Sequence, residues 1–484
     1  MTVSVARPRG AVLLAFLMIG LIVAAAAARP AAAMPGPSSI ATGLVDDTTF
    51  ESQTASLRAT WLTRAQQLGS SWVRMTVPWF VVAPASPGDG FRASDATDPH
   101  YHWGFLDDAV RDATSRRQHI LLMVMEAPSW ALGQHPLSPS FAPVWQPSPT
   151  AFGQFAHALA QRYSGHFPDP LRPGRKLPNV SYFQAWNEPN LRTALMPQWT
   201  RSHGRWVSAS PSWYRGMLNA FYSGVKSVQR HARVLAAGLA PYGDPPGVDR
   251  TPPVAFLREM LCLSGPRLRR ERCPNPAHFD AIDEHPYALT PTVRARNSTD
   301  VSVPDFGKLR RVLTAARRAH RALPGGSKQI WMTELDWTSN PPDPNGVAIN
   351  LQARYVSLSF YELWRQGVSH MFWFLIRDLP YKSLTGAGLY FRDGVAKPST
   401  TAFRFPFVAI PAAHQTKRVR TLILWGRAPK PGRVTIQLRR GHSWRTVLRL
   451  RTTRGGVFYA QRRFAAHSVL RAGEGKLTSL GFTS

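Results

Sequence analysis

The strongest constraint on the fold is a series of short apolar runs that recur between residue 36 and residue 405. Each run is 4 to 8 residues long and rich in Val, Ile, Phe or Trp, as buried parallel strands are. Eight such strands alternating with helical segments predict an α/β chain with a (β/α)₈ TIM barrel. A doubly wound open sheet is the alternative, but no GxGxxG follows the first run. The runs are Ile40–Val45, Ser71–Val77, Ile120–Met125, Val180–Trp186, Val234–Leu239, Phe279–Ile282, Gln329–Thr333 and His370–Leu375.

Three of the intervening segments have clear helical signals. Ala151–Tyr163 follows a Ser-Pro-Thr start, and Trp213–His231 is long and amphipathic. Leu351–Gln366 follows Asn350, which we interpret as a possible cap.

The first 33 residues predict an export signal. Arg7 and Arg9 precede an unbroken apolar run from Ala11 to Ala28, and Ala31-Ala32-Ala33 offers a small-residue cleavage site. An uncleaved anchor is the alternative, because 18 apolar residues are just enough to cross a bilayer. We therefore expect a secreted protein that is either released, cell-wall associated or anchored at its N-terminus.

The pattern changes after Pro411, where apolar and polar residues alternate between turn signals. Thr421–Trp425, Val434–Leu438, Trp444–Leu450 and Val457–Gln461 predict strands of a small antiparallel β-sandwich. The predicted domains are thus a signal peptide (1–33), a barrel (34–408) and a basic accessory β-domain (412–484).

The accessory domain holds an unusual share of the charge. The whole chain has 59 Lys and Arg against 28 Asp and Glu, and residues 412–484 contain 16 of the basic residues with one acid, Glu474. This excess suggests an anionic wall polymer or lipid surface as partner, although a merely solvated basic domain fits equally well. Basic charge alone is no recognition motif, so we expect no nucleic acid. Trp444 and Tyr459 could form a sugar platform or part of the sandwich core.

Two cysteines exclude a disulfide-rich scaffold and a four-Cys zinc site. In an exported protein Cys262 and Cys273 are a candidate disulfide. Neither a P-loop nor an HExxH motif is present, and we expect no metal or organic cofactor. We expect a monomer.

In a barrel of this class the reactive side chains project from the carboxyl ends of the strands. Those positions hold several acids with aromatic neighbours, which suits glycoside cleavage, because that reaction needs one carboxylic acid and one carboxylate. The pattern alone does not choose among the candidates, which are Glu126, Glu188, Glu334, Asp336 and Asp378.

Three motifs carry a family resemblance. They are Trp186-Asn187-Glu188-Pro189-Asn190, His285-Pro286-Tyr287 and Trp331-Met332-Thr333-Glu334, on predicted strands four, six and seven. Together they resemble the clan A retaining glycoside hydrolases, most closely family 39 and its bacterial exopolysaccharide-cleaving endoglycosidases. The likeness spans roughly residues 36–400.

The resemblance implies a role for each matching residue. Glu188 would be the general acid/base and Glu334 the nucleophile, with hydrolysis by double displacement. The alternative function is a non-catalytic wall- or glycan-binding protein held by its basic tail. The other implied substrate-binding residues are Arg74, Trp130, Asn187, His285, Tyr287 and Trp373, of which Arg74 could be a structural ion pair and Trp373 core packing.

Overall fold

Eight parallel strands close into a barrel in which every strand pairs with its neighbours in the sequence. The structure, a computed structural model, describes residues 36–134, 144–380, 386–412 and 418–484. All eight predicted strands are confirmed, with ends shifted by one or two residues. They are β1 (Ala41–Val45), β2 (Trp72–Pro78), β3 (His119–Met125), β4 (Tyr182–Ala185), β5 (Arg233–Leu239), β6 (Ala281–Glu284), β7 (Gln329–Met332) and β8 (His370–Phe374).

A helix follows each barrel strand, as the predicted (β/α)₈ topology requires. The third begins at Pro149, two residues before the predicted start at Ala151, because the Ser148 side chain caps it by accepting a hydrogen bond from the Ala151 N–H and Pro149 occupies the first turn. The predicted Asn350 cap is wrong: its helix starts at Ile349, two residues before the predicted start at Leu351, and Ala348 takes the cap position. The helices are α1 (Ala55–Gln67), α2 (Gly104–Ser115), α3 (Pro149–Arg162), α4 (Ser210–Val228), α5 (Pro253–Met260), α6 (Phe306–Arg318), α7 (Ile349–Arg365) and α8 (Pro398–Arg404).

The loops carry short elements of their own. Helical turns lie at Asp47–Phe50, Trp79–Val82, Ser129–Ala131 and Val303–Asp305. Short strands pair as Trp199–Ser202 with Arg205–Ser208, Leu263–Ser264 with Arg269–Arg270, Ala277–His278 with Ala322–Leu323, and Ser339–Asn340 with Val347–Ala348.

Aromatic rings fill the lower half of the barrel interior. The Trp72 and Trp331 ring centroids are 5.1 Å apart, and Trp331 stacks on His370 at 3.5 Å. Gly43 leaves room for the Phe372 ring, since a Cβ there would lie 2.2 Å from it. Closer to the carboxyl ends of the strands the interior side chains become polar. The packing therefore places the chemistry at that end of the barrel.

Two antiparallel sheets follow the barrel and contain the four predicted strands of the C-terminal β-domain. The first sheet has the order β9-β10-β13 and the second β12-β11-β14-β15, with β16 also paired to β14. The indole of Trp425 packs 5.4 Å from that of Trp364 on α7, which joins the first sheet to the barrel. The predicted boundary at 408–412 falls within β9. The strands are β9 (Phe407–Pro411), β10 (Val419–Arg427), β11 (Arg433–Arg440), β12 (Ser443–Arg451), β13 (Val457–Ala465), β14 (Val469–Glu474), β15 (Leu477–Thr478) and β16 (Phe482–Thr483).

Two sequence predictions concern the export of the chain. The predicted signal segment, residues 1–33, lies outside the described residues. Within the described ranges, no helix is both long and apolar enough to span a bilayer. A disulfide joins Cys262 and Cys273 in the loop after α5.

Candidate active site

Two carboxylates face each other at the carboxyl end of the barrel. Glu188 follows β4 and Glu334 follows β7, and these strands are separated in the barrel by β5 and β6. One carboxylate oxygen of each lies within 4.8 Å of the other and of a His285 ring nitrogen. Two carboxylates this close can act on the same bond of a bound molecule.

Glu334 is buried and held by two donors. The Arg74 guanidinium donates to Oε1 over 2.6 Å, and the Tyr287 hydroxyl donates to Oε2 over 3.0 Å. Burial alone would raise the pKa of Glu334, but the charges of His285 and Arg74 lower it below its ordinary value. Glu334 is therefore an ionised carboxylate with a fixed orientation.

Arg74 is itself fixed inside the barrel, where only 1% of its surface is exposed. Besides Glu334 it donates to the Gln184 Oε1 at 3.2 Å and to the Asn187 Oδ1 at 2.7 Å. Because Asn187 Oδ1 faces the guanidinium, the amide NH₂ of this residue is turned away from Arg74 and can donate to a ligand. Gln184 in turn donates to the Ala237 carbonyl at 2.7 Å.

Glu188 is the more accessible carboxylate, with 20% of its side chain exposed. Its backbone adopts a left-handed conformation, with φ of 44°, and its N–H donates to the Gly238 carbonyl on the neighbouring segment. Gly238 also has a positive φ, and a Cβ there would lie 2.7 Å from Gln184 Nε2. The tight turn after β4 thus aims Glu188 into the cleft.

His285 lies between the two glutamates. Its Nδ1 is 3.0 Å from Glu188 Oε1, and its Nε2 is 3.0 Å from Thr333 Oγ1. Burial would lower the pKa of His285, but the charges of Glu334 and Asp283 raise it to about 10. The imidazole is therefore protonated at neutral pH, and both ring nitrogens donate hydrogen bonds.

Asp283 and Thr333 complete this network, although neither was predicted from the sequence as a site residue. Asp283 Oδ2 lies 3.3 Å from His285 Nε2 and also accepts from the Thr333 hydroxyl. Despite its burial, the hydrogen bond from His285 lowers the pKa of Asp283. The available signal was spacing, since alternate residues of a strand share a face and Asp283 lies two residues before His285.

The two tryptophans predicted to bind substrate differ in their surroundings. Trp373 is a correction: it is fully buried, and its indole N–H donates to the Ala387 carbonyl at 2.9 Å, so it cannot lie under a sugar. The next residue, Phe374, is half-buried and packs on the aromatic cluster inside the barrel. Trp130 is half-buried, and its indole N–H donates to the Pro84 carbonyl in the loop after β2, so its role in substrate binding stays a prediction.

The remaining candidate acids differ from the pair in their surroundings. Asp378 is buried in an ion pair with Lys397 at 2.7 Å, which is a structural contact. Burial and the charge of Glu334 raise the pKa of Asp336 to about 7. Burial and the charge of Asp47 raise the pKa of Glu126. Of the five candidates, only Glu188 and Glu334 share the His285 contact.

The cluster of Glu188, His285 and Glu334 has the spacing of a metal site. However, both oxygens of Glu334 already accept hydrogen bonds from Arg74 and Tyr287, and the guanidinium cation lies on the carboxylate. A metal ion would have to compete with that positive charge. The donor set therefore fits a paired-carboxylate site better than a metal centre.

Solved structures share this architecture. A family 39 glycoside hydrolase from the gut symbiont Bacteroides cellulosilyticus WH2 is 16% identical, with a TM-score of 0.53 over 89% of this chain and 81% of that chain. A glucosidase from Croceicoccus marinus is 12% identical, with a TM-score of 0.51 over 91% of this chain and 96% of that chain. The chain therefore shares the barrel fold of these two glycoside hydrolases. The predicted barrel likeness is thereby confirmed at the level of fold.

Sequence comparison gives no closer assignment. No family model matches the chain, and no curated protein resembles it in sequence.

Proposed function

We propose that this protein is a secreted retaining glycoside hydrolase that cleaves O-glycosidic bonds of a polysaccharide. The observation that carries the proposal is the pair of carboxylates within 4.8 Å, one of them fixed by Arg74 at the mouth of a clan A-type barrel. Retaining glycosidases need such a short separation, because the second carboxylate attacks the sugar directly.

In the first step Glu334 attacks the anomeric carbon as Glu188 gives its proton to the departing glycosidic oxygen. The C–O bond to the leaving group breaks, and a glycosyl ester with Glu334 forms. In the second step Glu188 takes a proton from water, and the resulting nucleophile displaces Glu334 from the sugar. Two inversions retain the configuration.

The surrounding side chains support these roles. Arg74 and Tyr287 stabilise the free carboxylate that leaves in the second step, and they orient it towards the sugar. Asn187 would donate its free amide hydrogens to a sugar hydroxyl next to the anomeric carbon. Phe374 takes the role predicted for Trp373, because it would offer an aromatic surface inside the cleft.

Export is part of the proposal. The leader of residues 1–33 and the Cys262–Cys273 disulfide both fit an oxidising compartment outside the cytoplasm.

The test is the release of reducing ends from a panel of neutral, acidic and amino polysaccharides by the chain from Met34. We expect release from at least one polymer, and we expect both Glu334→Gln and Glu188→Gln to abolish it. The matched control is Glu271→Gln, which removes one charge from an exposed loop and should retain full activity. Circular dichroism of each variant checks that the barrel is folded.

The alternative is a glycan-binding protein without catalysis. This binding function is favoured if the protein retains a polymer that neither the wild type nor any variant cleaves. Loss of activity in both glutamate variants, with normal activity in the control, would exclude it.

A further inference from the structure

The outward side of the second C-terminal sheet is a separate surface, distant in sequence from the carboxylate pair. Residues directly opposite each other in an antiparallel pair share a face. Val434 and Ile436 of β11 are buried, so the residues between and after them, Thr435 and Gln437, point outward. Gln437 lies opposite Arg471 of β14, which therefore also points outward.

Five arginines lie on this outward face, which we call the arginine face. Arg433 is directly opposite Arg451, and Arg449 lies opposite Thr435. Like charges placed opposite each other destabilise a sheet unless a counter-charge is present. Glu474, the one acid of residues 412–484, accepts a hydrogen bond from the Lys430 backbone N–H. The members of the arginine face are Arg433, Arg439, Arg449, Arg451 and Arg471.

The arginines of this face lack an acidic partner within the described ranges. Among residues 418–484 and the other described parts of the chain, no ion pair involves an arginine of this face. Arg433, Arg439, Arg449 and Arg451 are exposed to solvent. Their side chains are therefore available to an external anion.

Arg471 is held in place at the centre of the face. Its Nε donates to Gln437 Oε1 at 2.7 Å, and its guanidinium carbon lies 4.2 Å from the centre of the Trp444 ring. Neither contact uses the two terminal NH₂ groups, which have no hydrogen-bond partner among the described residues. A planar, fixed guanidinium with its NH₂ groups free binds a carboxylate or sulfate through two parallel hydrogen bonds.

We propose that the arginine face binds an acidic polysaccharide, through carboxylates paired with Arg471 and its neighbouring arginines. Charge complementarity with a polyanion carries the assignment. A lipid surface fits less well, because the only large apolar side chains of the described tail that are more than a third exposed are Val419 and Val447. Interfacial binding relies on Trp, Phe or Leu side chains that enter the membrane.

The test measures binding of the full chain from Met34 to polygalacturonate, a carboxylated polysaccharide, in the Glu334→Gln background so that cleavage cannot interfere. We expect Arg449→Gln/Arg451→Gln to weaken binding about tenfold or more, the equivalent of one charge-assisted hydrogen bond. Arg471→Lys keeps the charge and loses the planar fork, and we expect a similar loss.

The matched control is Arg462→Gln/Arg463→Gln, which removes two exposed charges from β13 in the other sheet. It should bind polygalacturonate like its parent. Equal weakening by this control, or equal binding of neutral dextran, would overturn the proposal. Tighter binding of duplex DNA or of phosphatidylglycerol vesicles at the same ionic strength would also overturn it. Because the readout is binding, the result does not depend on glycosidase activity.

Discussion

Glu284 allows the electrostatics of the barrel to be tested without a substrate. It is the last residue of β6, it is fully buried, and neither carboxylate oxygen has a hydrogen-bond partner among the described residues. Burial raises the pKa of Glu284 well above its ordinary value. The side chain is therefore neutral in the folded protein at a pH where the unfolded chain has it ionised.

The sign and size of the effect follow from this difference. An acid whose pKa is raised by folding does not change the free energy of unfolding below its unfolded pKa of about 4.3, because it is then protonated in both states. As the pH rises from there towards the folded pKa, the acid destabilises the fold, because only the unfolded chain can ionise it. The cost is about 1.4 kcal/mol for each pH unit in that window. Glu284→Gln carries no such cost, so the unfolding free energy of the variant should rise relative to that of wild type between pH 5 and pH 7, by about 1.4 kcal/mol for each pH unit below the folded pKa.

The assay is urea-induced unfolding of the chain from Met34 and of the variant at pH 5, 6 and 7. The free-energy cost of burying an uncharged amide is the same at every pH. Only the pH dependence of the difference in unfolding free energy between Glu284→Gln and wild type is therefore diagnostic. The exposed Glu271→Gln variant should show none. A difference between Glu284→Gln and wild type that is constant from pH 5 to pH 7 would refute the reasoning, because it would mean that Glu284 is ionised in the fold.

Three further predictions follow from the site and the disulfide. Arg74→Met removes one of the charges that lower the pKa of Glu334, so the acid limb of the kcat/KM profile should move to higher pH; an unmoved limb in a folded variant would contradict the pairing. Tyr287→Phe removes the hydrogen bond to Glu334 Oε2 and should lower kcat about tenfold in steady-state assays without changing the thermal unfolding curve, whereas full activity would show that the bond has no catalytic effect. Replacing Cys262 and Cys273 by Ser opens a loop with a sequence separation of 11, which should lower the unfolding free energy by about 3 kcal/mol in urea; unchanged stability would argue against the bridge.

The barrel could be predicted because buried parallel strands leave a readable signal. Each of the eight runs is apolar on both faces, and helices with polar surfaces separate them. The paired glutamates could be placed because both follow such runs, at Glu188 and Glu334, and the barrel topology brings all strand ends to one side.

Other features depend on which residues of a strand face the barrel interior. A strand that is apolar at every position does not show this in its sequence. The segment Phe372-Trp373-Phe374 is aromatic at every position, so the sequence does not show which ring faces the barrel interior. In the structure Phe372 and Phe374 face inward, and Trp373 packs outside. The buried Arg74 contacts with Gln184 and Asn187 also depend on three-dimensional packing between strands.

Two strands of the C-terminal β-domain were harder to predict from the sequence than the barrel strands, because neither has a clear apolar pattern. Strand β9 (Phe407–Pro411) follows α8 closely and shows no alternation of its own, so the predicted boundary cuts through it. Strand β14 contains Arg471, Gly473 and Glu474, which weaken an apolar pattern. Both strands are specified by the partners with which they pair.

The most direct test of the central claim is the anomeric configuration of the first sugar released from a cleaved polymer, followed by proton NMR before mutarotation. The short distance between Glu188 and Glu334 predicts that the product keeps the configuration of the bond that was cleaved. It also predicts that Glu334→Gln releases none. An inverted product, or release that persists in a pure Glu334→Gln preparation, would contradict the account.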